Sequence, residues 1–159
     1  MPVDQDEFRM ALARFATGVT VVTTRDAGQR PFGMTVSAFS SVSLEPPLVL
    51  ICIDKTVGSH DALRDSGVFA VNILTEEQEV IARRFSAKDP DRFQGIAYHD
   101  GIDGVPVLED TLASLECRIT QIYEGGGHTI FVGEVEVTTT IGHGHPLLYF
   151  KGGYASLTM

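Results

Sequence analysis

The segment Gly33–Ser43, GMTVSAFSSVS, sets short hydroxyl side chains at alternate positions: Thr35, Ser37, Ser41 and Ser43, interrupted by Phe39. The intervening Met34, Val36, Ala38 and Val42 are apolar, with Ser40 the exception. Side chains alternate across a strand, so one face would be apolar and the other a ladder of small donors and acceptors. Hydroxyls this short leave the backbone within reach of a flat polar ligand. An outward Thr/Ser face on an antiparallel sheet fits the same pattern, and the segment alone does not choose between the two.

Two further clusters could hold such a ligand. After the apolar run Leu48–Ile53 comes DKTVGSHDAL, in which Lys55 supplies a cation and Thr56 a hydroxyl. Ser59 is the expected N-cap of a helix over His60–Asp65, whose free N–H groups can face an anion. An ordinary strand-to-helix turn with a solvated lysine reads the same way. Arg83, Arg84 and Arg92 are further cations, for which a surface ion pair is the usual fate. His128 follows the triple glycine 125–127. Glycine there lets another backbone approach and leaves the imidazole facing either an open pocket or plain solvent at a hairpin end.

Other chemistries lack their motifs. There is no glycine-rich dinucleotide fingerprint, no Walker loop and no nucleophile elbow. His143 and His145 flank a glycine without a third ligand nearby in sequence, and are expected in a solvent turn rather than on a metal.

The chain has 159 residues, of which 43% are hydrophobic and 21% charged, a globular composition expected to form one domain over 1–159. Twelve basic residues against twenty-one acidic ones leave a formal charge of −9. That disfavours nucleic acid and anionic membranes as partners, though one lysine and a helix N-terminus can still hold a phosphate locally. Cys52 and Cys117 lie in apolar strand-like runs and are expected as buried free thiols. No run approaches the ~20 apolar residues of a membrane span, and the start MPVDQDEFRM is acidic rather than signal-like, so a cytoplasmic location is expected.

The elements that must position these groups are mostly strands. Phe8, Ala11, Leu12 and Phe15 recur at helical spacing behind an Asp4 cap, with Gly18 beyond the end. Strands are expected at Val19–Thr24, along the hydroxyl segment, and at Leu48–Ile53, the last buried on both faces. Val68–Leu74 follows as a strand. Thr75 and Gln78 form a capping box before a helix through Phe85, with Val80, Ile81 and Phe85 facing inward. Residues 86–111 look like a long loop, Leu115–Tyr123 and Thr129–Thr140 a long hairpin, and Pro146–Phe150 a last strand. Many short-linked strands with few helices point to a mainly β barrel or sandwich.

Taken together, these segments resemble the flavin reductase-like, FMN-binding split-barrel family, whose members feed reduced flavin to two-component monooxygenases. The likeness is carried by FATGVTVVTT at 15–24, GMTVSAFSSVSLEPPL at 33–48, FAVNIL at 69–74 and ARRFSAKDPDRF at 82–93. It continues through LECRI at 115–119, GHTIFVGEV at 127–135 and PLLYFKGGY at 146–154. It implies a Greek-key split β-barrel with a few short flanking helices, commonly a homodimer, binding FMN or FAD and taking electrons from NADH or NADPH. By position, Thr35, Val36, Ser37, Ala38 and Ser41 would run along the isoalloxazine edge. Cys52, Ile53, Asp54 and Lys55 would line its far side, with Ser59 near the phosphate. Phe85 and Arg92 would close over the flavin tail. His128 would dock the nicotinamide for hydride transfer, with Tyr154 beside it.

Relatives often carry Asp just before that histidine and a basic residue before the tyrosine, where this chain has Gly126–Gly127 and Gly153. Both departures bear on nicotinamide choice and grip. The implied function is an NAD(P)H:flavin reductase serving a separate monooxygenase. The alternative is a flavin-binding barrel acting as an electron store, sensor or oxidase-like protein. The residues leave FMN against FAD and NADH against NADPH open.

Overall fold

The computed structural model describes residues 1–158. In chain order the elements are α1 (Gln5–Leu12), β1 (Thr17–Gly18), β2 (Thr20–Arg25), β3 (Pro31–Val36), β4 (Phe39–Ser43), β5 (Leu48–Asp54) and α2 (Ser59–Ser66). Then follow β6 (Val68–Ile73), a 3-10 turn at Glu76–Gln78, α3 (Glu79–Ser86), β7 (Tyr98–Asp100), β8 (Pro106–Leu108), β9 (Ala113–Gly125), β10 (His128–Thr140), β11 (Leu147–Phe150) and β12 (Gly153–Ser156). Seven strands form one sheet in the order β3-β2-β6-β9-β10-β5-β4, β1-β11-β12 form a second, and β7 pairs with β8. The pairings within these sheets are antiparallel.

The large sheet coils. Met34 and Val36, from one end, share a buried cluster with Val49, Ile51 and Ile53, from near the other, and with Phe69, Val71 and Phe131 between them. This is the mainly β, Greek-key split barrel with short flanking helices. Among the described residues no helix is long and apolar enough to cross a membrane.

The hydroxyl segment is not one strand. β3 pairs with β2 from Thr20↔Val36 to Arg25↔Pro31, whereas β4 pairs with β5 through Phe39↔Ile51 and Ser41↔Val49. Ser37 and Ala38 belong to neither strand. The reason lies in Phe39, which carries the parity of the hydroxyls yet packs against the same cluster as Met34 and Val36. Alternation must reset between Val36 and Phe39 for all three to reach the core, and the irregular pair resets it.

Four other expectations change. β5 is buried on one face only, through Val49, Ile51 and Ile53, while Leu48, Leu50 and Cys52 are half-exposed. The stretch 86–111 contains the β7–β8 hairpin with Val105, Val107 and Leu108 buried. Buried Asn72 anchors that hairpin: its Oδ1 accepts from the Leu108 N–H at 2.9 Å. Val80 faces solvent because α3 buries Ala82 and Phe85, and Val80, five residues before Phe85, lies about 140° round the helix from it; Gln78 does accept from the Thr75 N–H as the capping box requires. α1 forms behind its Asp4 cap but ends at Ala13, short of Gly18, and buries no side chain.

The long β9–β10 hairpin makes close packing possible at Gly133, beside a register shift. A Cβ there would lie 2.7 Å from Phe69 Cζ and 2.9 Å from Cys117 Cβ, both in fully buried residues. Gly133→Ala should therefore destabilise the fold by about 1–3 kcal/mol through overpacking. A urea titration should show a lower midpoint at unchanged slope, with Gly127→Ala, which meets nothing within 4 Å, as the comparison.

Candidate functional site

β3 ends the large sheet, so its outer edge has no strand partner. β5 is paired by β4 only as far as Phe39↔Ile51, after which the Cys52 N–H donates to the Ala38 carbonyl at 3.0 Å. Beyond that point β3 and β5 face each other across an unclosed seam. A cleft of about 360 Å³ fills it, lined by Met34, Thr35, Val36, Ser37, Ala38, Cys52, Ile53, Asp54, Val57, Phe85, Ser86, Arg92 and His128. Apolar walls with a few convergent polar groups and an exposed backbone edge suit a flat, polar ring.

Each polar group has a structural cause for its place. Thr35 Oγ1 donates to the Ala82 carbonyl at 2.6 Å, fastening α3 to β3. Gly33, which closes on the Phe85 ring so tightly that a Cβ would lie 2.7 Å from it, offers its carbonyl to Arg92 Nη1 at 2.8 Å. Asp54 accepts from both the N–H and the hydroxyl of Thr56 at 2.8 Å. Those two bonds hold its carboxyl below the usual aspartate range, the backbone one foremost, and the His128 imidazole adds to the effect. His128 is exposed at the start of β10, opposite Asp54.

A second cleft, about 530 Å³, shares Val57 and Arg92 with the first. It is bounded by Arg30, Lys88 and Arg92, by Thr56–Ser59 leading into α2, and by Phe32 and Phe93. In a chain of net charge −9, this cleft gathers three cations and a helix start against one lining carboxylate, Asp89, the groups from which an anion site is built. A larger cleft, about 710 Å³, is lined by Glu76, Glu77, Glu109 and Asp110 and by no lysine or arginine, so it cannot play that part.

The structure thus brings Thr35, Val36, Ser37, Ala38, Cys52, Ile53, Asp54, Phe85, Arg92 and His128 to the seam, and Ser59 to the neighbouring cleft. Three candidates lie elsewhere. Ser41 is exposed on β4. Lys55 turns away to pair with Glu124, holding that carboxyl low. Tyr154 packs edge-on against Tyr149 at 5.4 Å and lies under the Arg83 guanidinium at 4.9 Å. Ser59 is buried as the first residue of α2 while Gly58 holds the cap position with no side-chain bond. Phe85 is a core residue, 1% exposed, whose edge forms a wall. Arg83 is further occupied by Glu79 at 2.8 Å. Arg30 and Lys88 were not legible in sequence, since nothing marks them among exposed turn residues until β3 and the α3 end are brought together.

The chain matches the flavin reductase like domain over residues 12–158. It is 41% identical, over 98% of its length and 79% of the relative, to the reductase subunit HsaB of a flavin-dependent monooxygenase from Rhodococcus jostii. It is 43% identical, over 96% of its length and 85% of the relative, to an NADH-dependent FAD reductase from Streptomyces globisporus. Among solved structures, the Streptomyces globisporus NADH:FAD oxidoreductase SgcE6, in complex with NAD and FAD fragments, superposes with a TM-score of 0.92. That match is 40% identical and covers 98% of this chain and 93% of the other.

The two free cysteines differ in a way that reports on the seam. Cys52 is half-exposed and burial pushes its thiol up; Cys117 is fully buried and is pushed up to about 12. A disulfide reagent at mildly alkaline pH should label Cys52 in the folded chain and Cys117 only on unfolding. Cys52→Ser should abolish the native-state reaction.

Proposed function

The chain belongs to the flavin reductase-like family, and on that premise we propose that it is an NAD(P)H:flavin oxidoreductase that binds flavin in the seam between β3 and β5. The observation that carries this reading is the free backbone edge of the seam, walled by apolar side chains and continuous with a cationic cleft. The donor set fits a flavin. The ring needs a slot with backbone hydrogen-bond partners, and the phosphate tail needs cations and a helix start. Thr35–Ala38 would run along the ring, with Cys52, Ile53 and Asp54 opposite. Arg30, Lys88, Arg92 and the Thr56–Ser59 turn would hold the tail.

A flavin bound there would accept a hydride from NADH or NADPH, chemistry that belongs to the cofactor. The chain's own residues position and exclude. Phe85, Met34 and Val36 shut water out from one side. Arg92, held by the Gly33 carbonyl, fixes the junction between ring and tail. His128, exposed at the mouth and opposite Asp54, is placed to orient a nicotinamide at contact distance, which is where most of the rate would come from. Tyr154 would act at one remove, through Arg83 on the helix that carries Phe85.

We infer one flavin reductase-like domain over residues 1–159 in a reducing, cytoplasmic setting that keeps both thiols free. We infer a homodimer as well, with a separate flavin-dependent monooxygenase taking the reduced flavin. The dimer reading rests on α1 and the turn after it: Phe8 and Leu12 are 54% and 56% exposed on a helix too short to persist unsupported, and Phe15, just beyond its end, is 77% exposed. Sedimentation equilibrium should give twice the chain mass.

The purified chain should oxidise NADH or NADPH in the presence of FMN or FAD well above the flavin-only control. Failure with all four pairs would leave only a flavin-binding barrel. His128→Ala should raise KM for the nicotinamide about tenfold, ~1.4 kcal/mol, with flavin affinity unchanged. Arg92→Ala should do the reverse, weakening flavin binding measured by fluorescence quenching. Saturating flavin should also slow Cys52 labelling.

A further inference from the structure

We propose that His60 is a positioning residue that ties the anion-binding turn to the nicotinamide side of the same site; this inference rests on the reductase reading above. His60 lies in the first turn of α2, next to Ser59, and is only 5% exposed. Its Nε2 meets Thr129 Oγ1 at 2.7 Å and its Nδ1 meets Asp61 Oδ1 at 3.1 Å. A carboxylate only accepts, so Nδ1 carries a hydrogen toward Asp61, and in that tautomer Nε2 accepts from the Thr129 hydroxyl. The ring also packs edge-on against Phe131 of β10, at 5.7 Å.

Thr129 is the other half of the device. It is fully buried, follows His128 in β10, and pairs with Ile53 across the sheet. One bond therefore joins the turn Thr56–Ser59, which lines the cationic cleft, to a strand position flanked by two residues of the seam, His128 and Ile53. α2 has eight residues and is held at depth by buried Ala62 and Leu63. Apolar contacts set how deep a helix sits but are non-directional, and the other directional side-chain bond on α2, Ser66 Oγ with Thr24 Oγ1 at 2.8 Å, acts at its far end. The His60–Thr129 bond is directional and acts on the turn nearest the ligand. An apolar side chain could fill the same space without the desolvation cost of an imidazole, so the histidine makes physical sense as an aligner. No atom of His60 needs to touch flavin for this to hold.

The test compares His60→Leu, His60→Gln, Thr129→Val and the Leu/Val double variant. The measurements are FMN affinity by fluorescence quenching and steady-state kinetics with NADH. His60→Leu and Thr129→Val should each weaken FMN binding and raise KM for NADH by about five- to tenfold, the scale of one lost hydrogen bond, with kcat within about twofold. The double variant should be no worse than either single one, because both remove the same bond. His60→Gln, whose carbonyl can accept from Thr129, should recover most of the loss. Thr129→Val is nearly isosteric and decides the matter if His60→Leu does not fold. Unchanged FMN affinity and KM in Thr129→Val, or penalties that add in the double variant, would overturn the inference. Wild-type chain that binds FMN but oxidises neither NADH nor NADPH with either flavin would overturn the reductase reading instead, while the FMN-affinity comparison would still decide the role of His60.

Discussion

The site depends on a sheet that coils almost into a barrel and does not close. An unpaired strand edge is ordinarily a liability, a row of N–H and C=O groups open to any passing strand. Here the edge is short and partly spoken for. Arg92 takes the Gly33 carbonyl and the Ala38 carbonyl takes the Cys52 N–H. The Thr35 hydroxyl is spent on α3. Between Thr35 and Ala38 the Val36 carbonyl accepts from the Thr20 hydroxyl and the Ser37 carbonyl from the Phe39 N–H; the remaining backbone groups of that stretch stay open, facing Cys52–Asp54. Backbone groups there are aimed and held by a rigid sheet, which suits a ring better than mobile side chains would.

Charge is arranged locally against the balance of the whole chain. Lys55, Arg83 and Arg118 are each engaged by nearby carboxylates, Glu124, Glu79, and Asp103 with Glu136. Arg30, Lys88 and Arg92 converge instead on one cleft beside the start of α2. The net −9 repels anions at long range, so short-range contacts in this cleft must do the recognising; Arg92 is half-buried and is screened least, whereas Arg30 and Lys88 are exposed and weaken with salt. Asp54 serves the same end indirectly. Its bonds to Thr56 shape the turn that leads into α2 while its charge faces His128.

Much of this was legible in the residues themselves. The mainly β class follows from short apolar runs between turns, the Asp4 cap and the Thr75–Gln78 pair mark two helix starts, and the glycine-rich hairpin announces an exposed His128. Where reading along the chain failed, a tertiary demand overrode a local one. Phe39 had to enter the core and so broke the hydroxyl strand. α3 turns Ala82 and Phe85 inward, which leaves Val80 on the solvent side. Lys55 looked free until β9 brought Glu124 beside it. Residues 86–111 looked like loop because their anchor, Asn72, lies in a strand far back in sequence.

The sequence alone determined the chemistry on offer: small hydroxyls, an exposed backbone, a histidine after three glycines, cations near a helix start, and no metal, nucleophile or dinucleotide motif. Periodicity and turn residues are local, so a single chain reading captures them. Only the tertiary structure decided which of these groups meet. Whether Arg30 and Lys88 join Arg92, whether Ser41 and Tyr154 stand apart, and where the seam opens are all set by sheet coiling and register. Those are properties of strands paired across long separations, which no local pattern encodes.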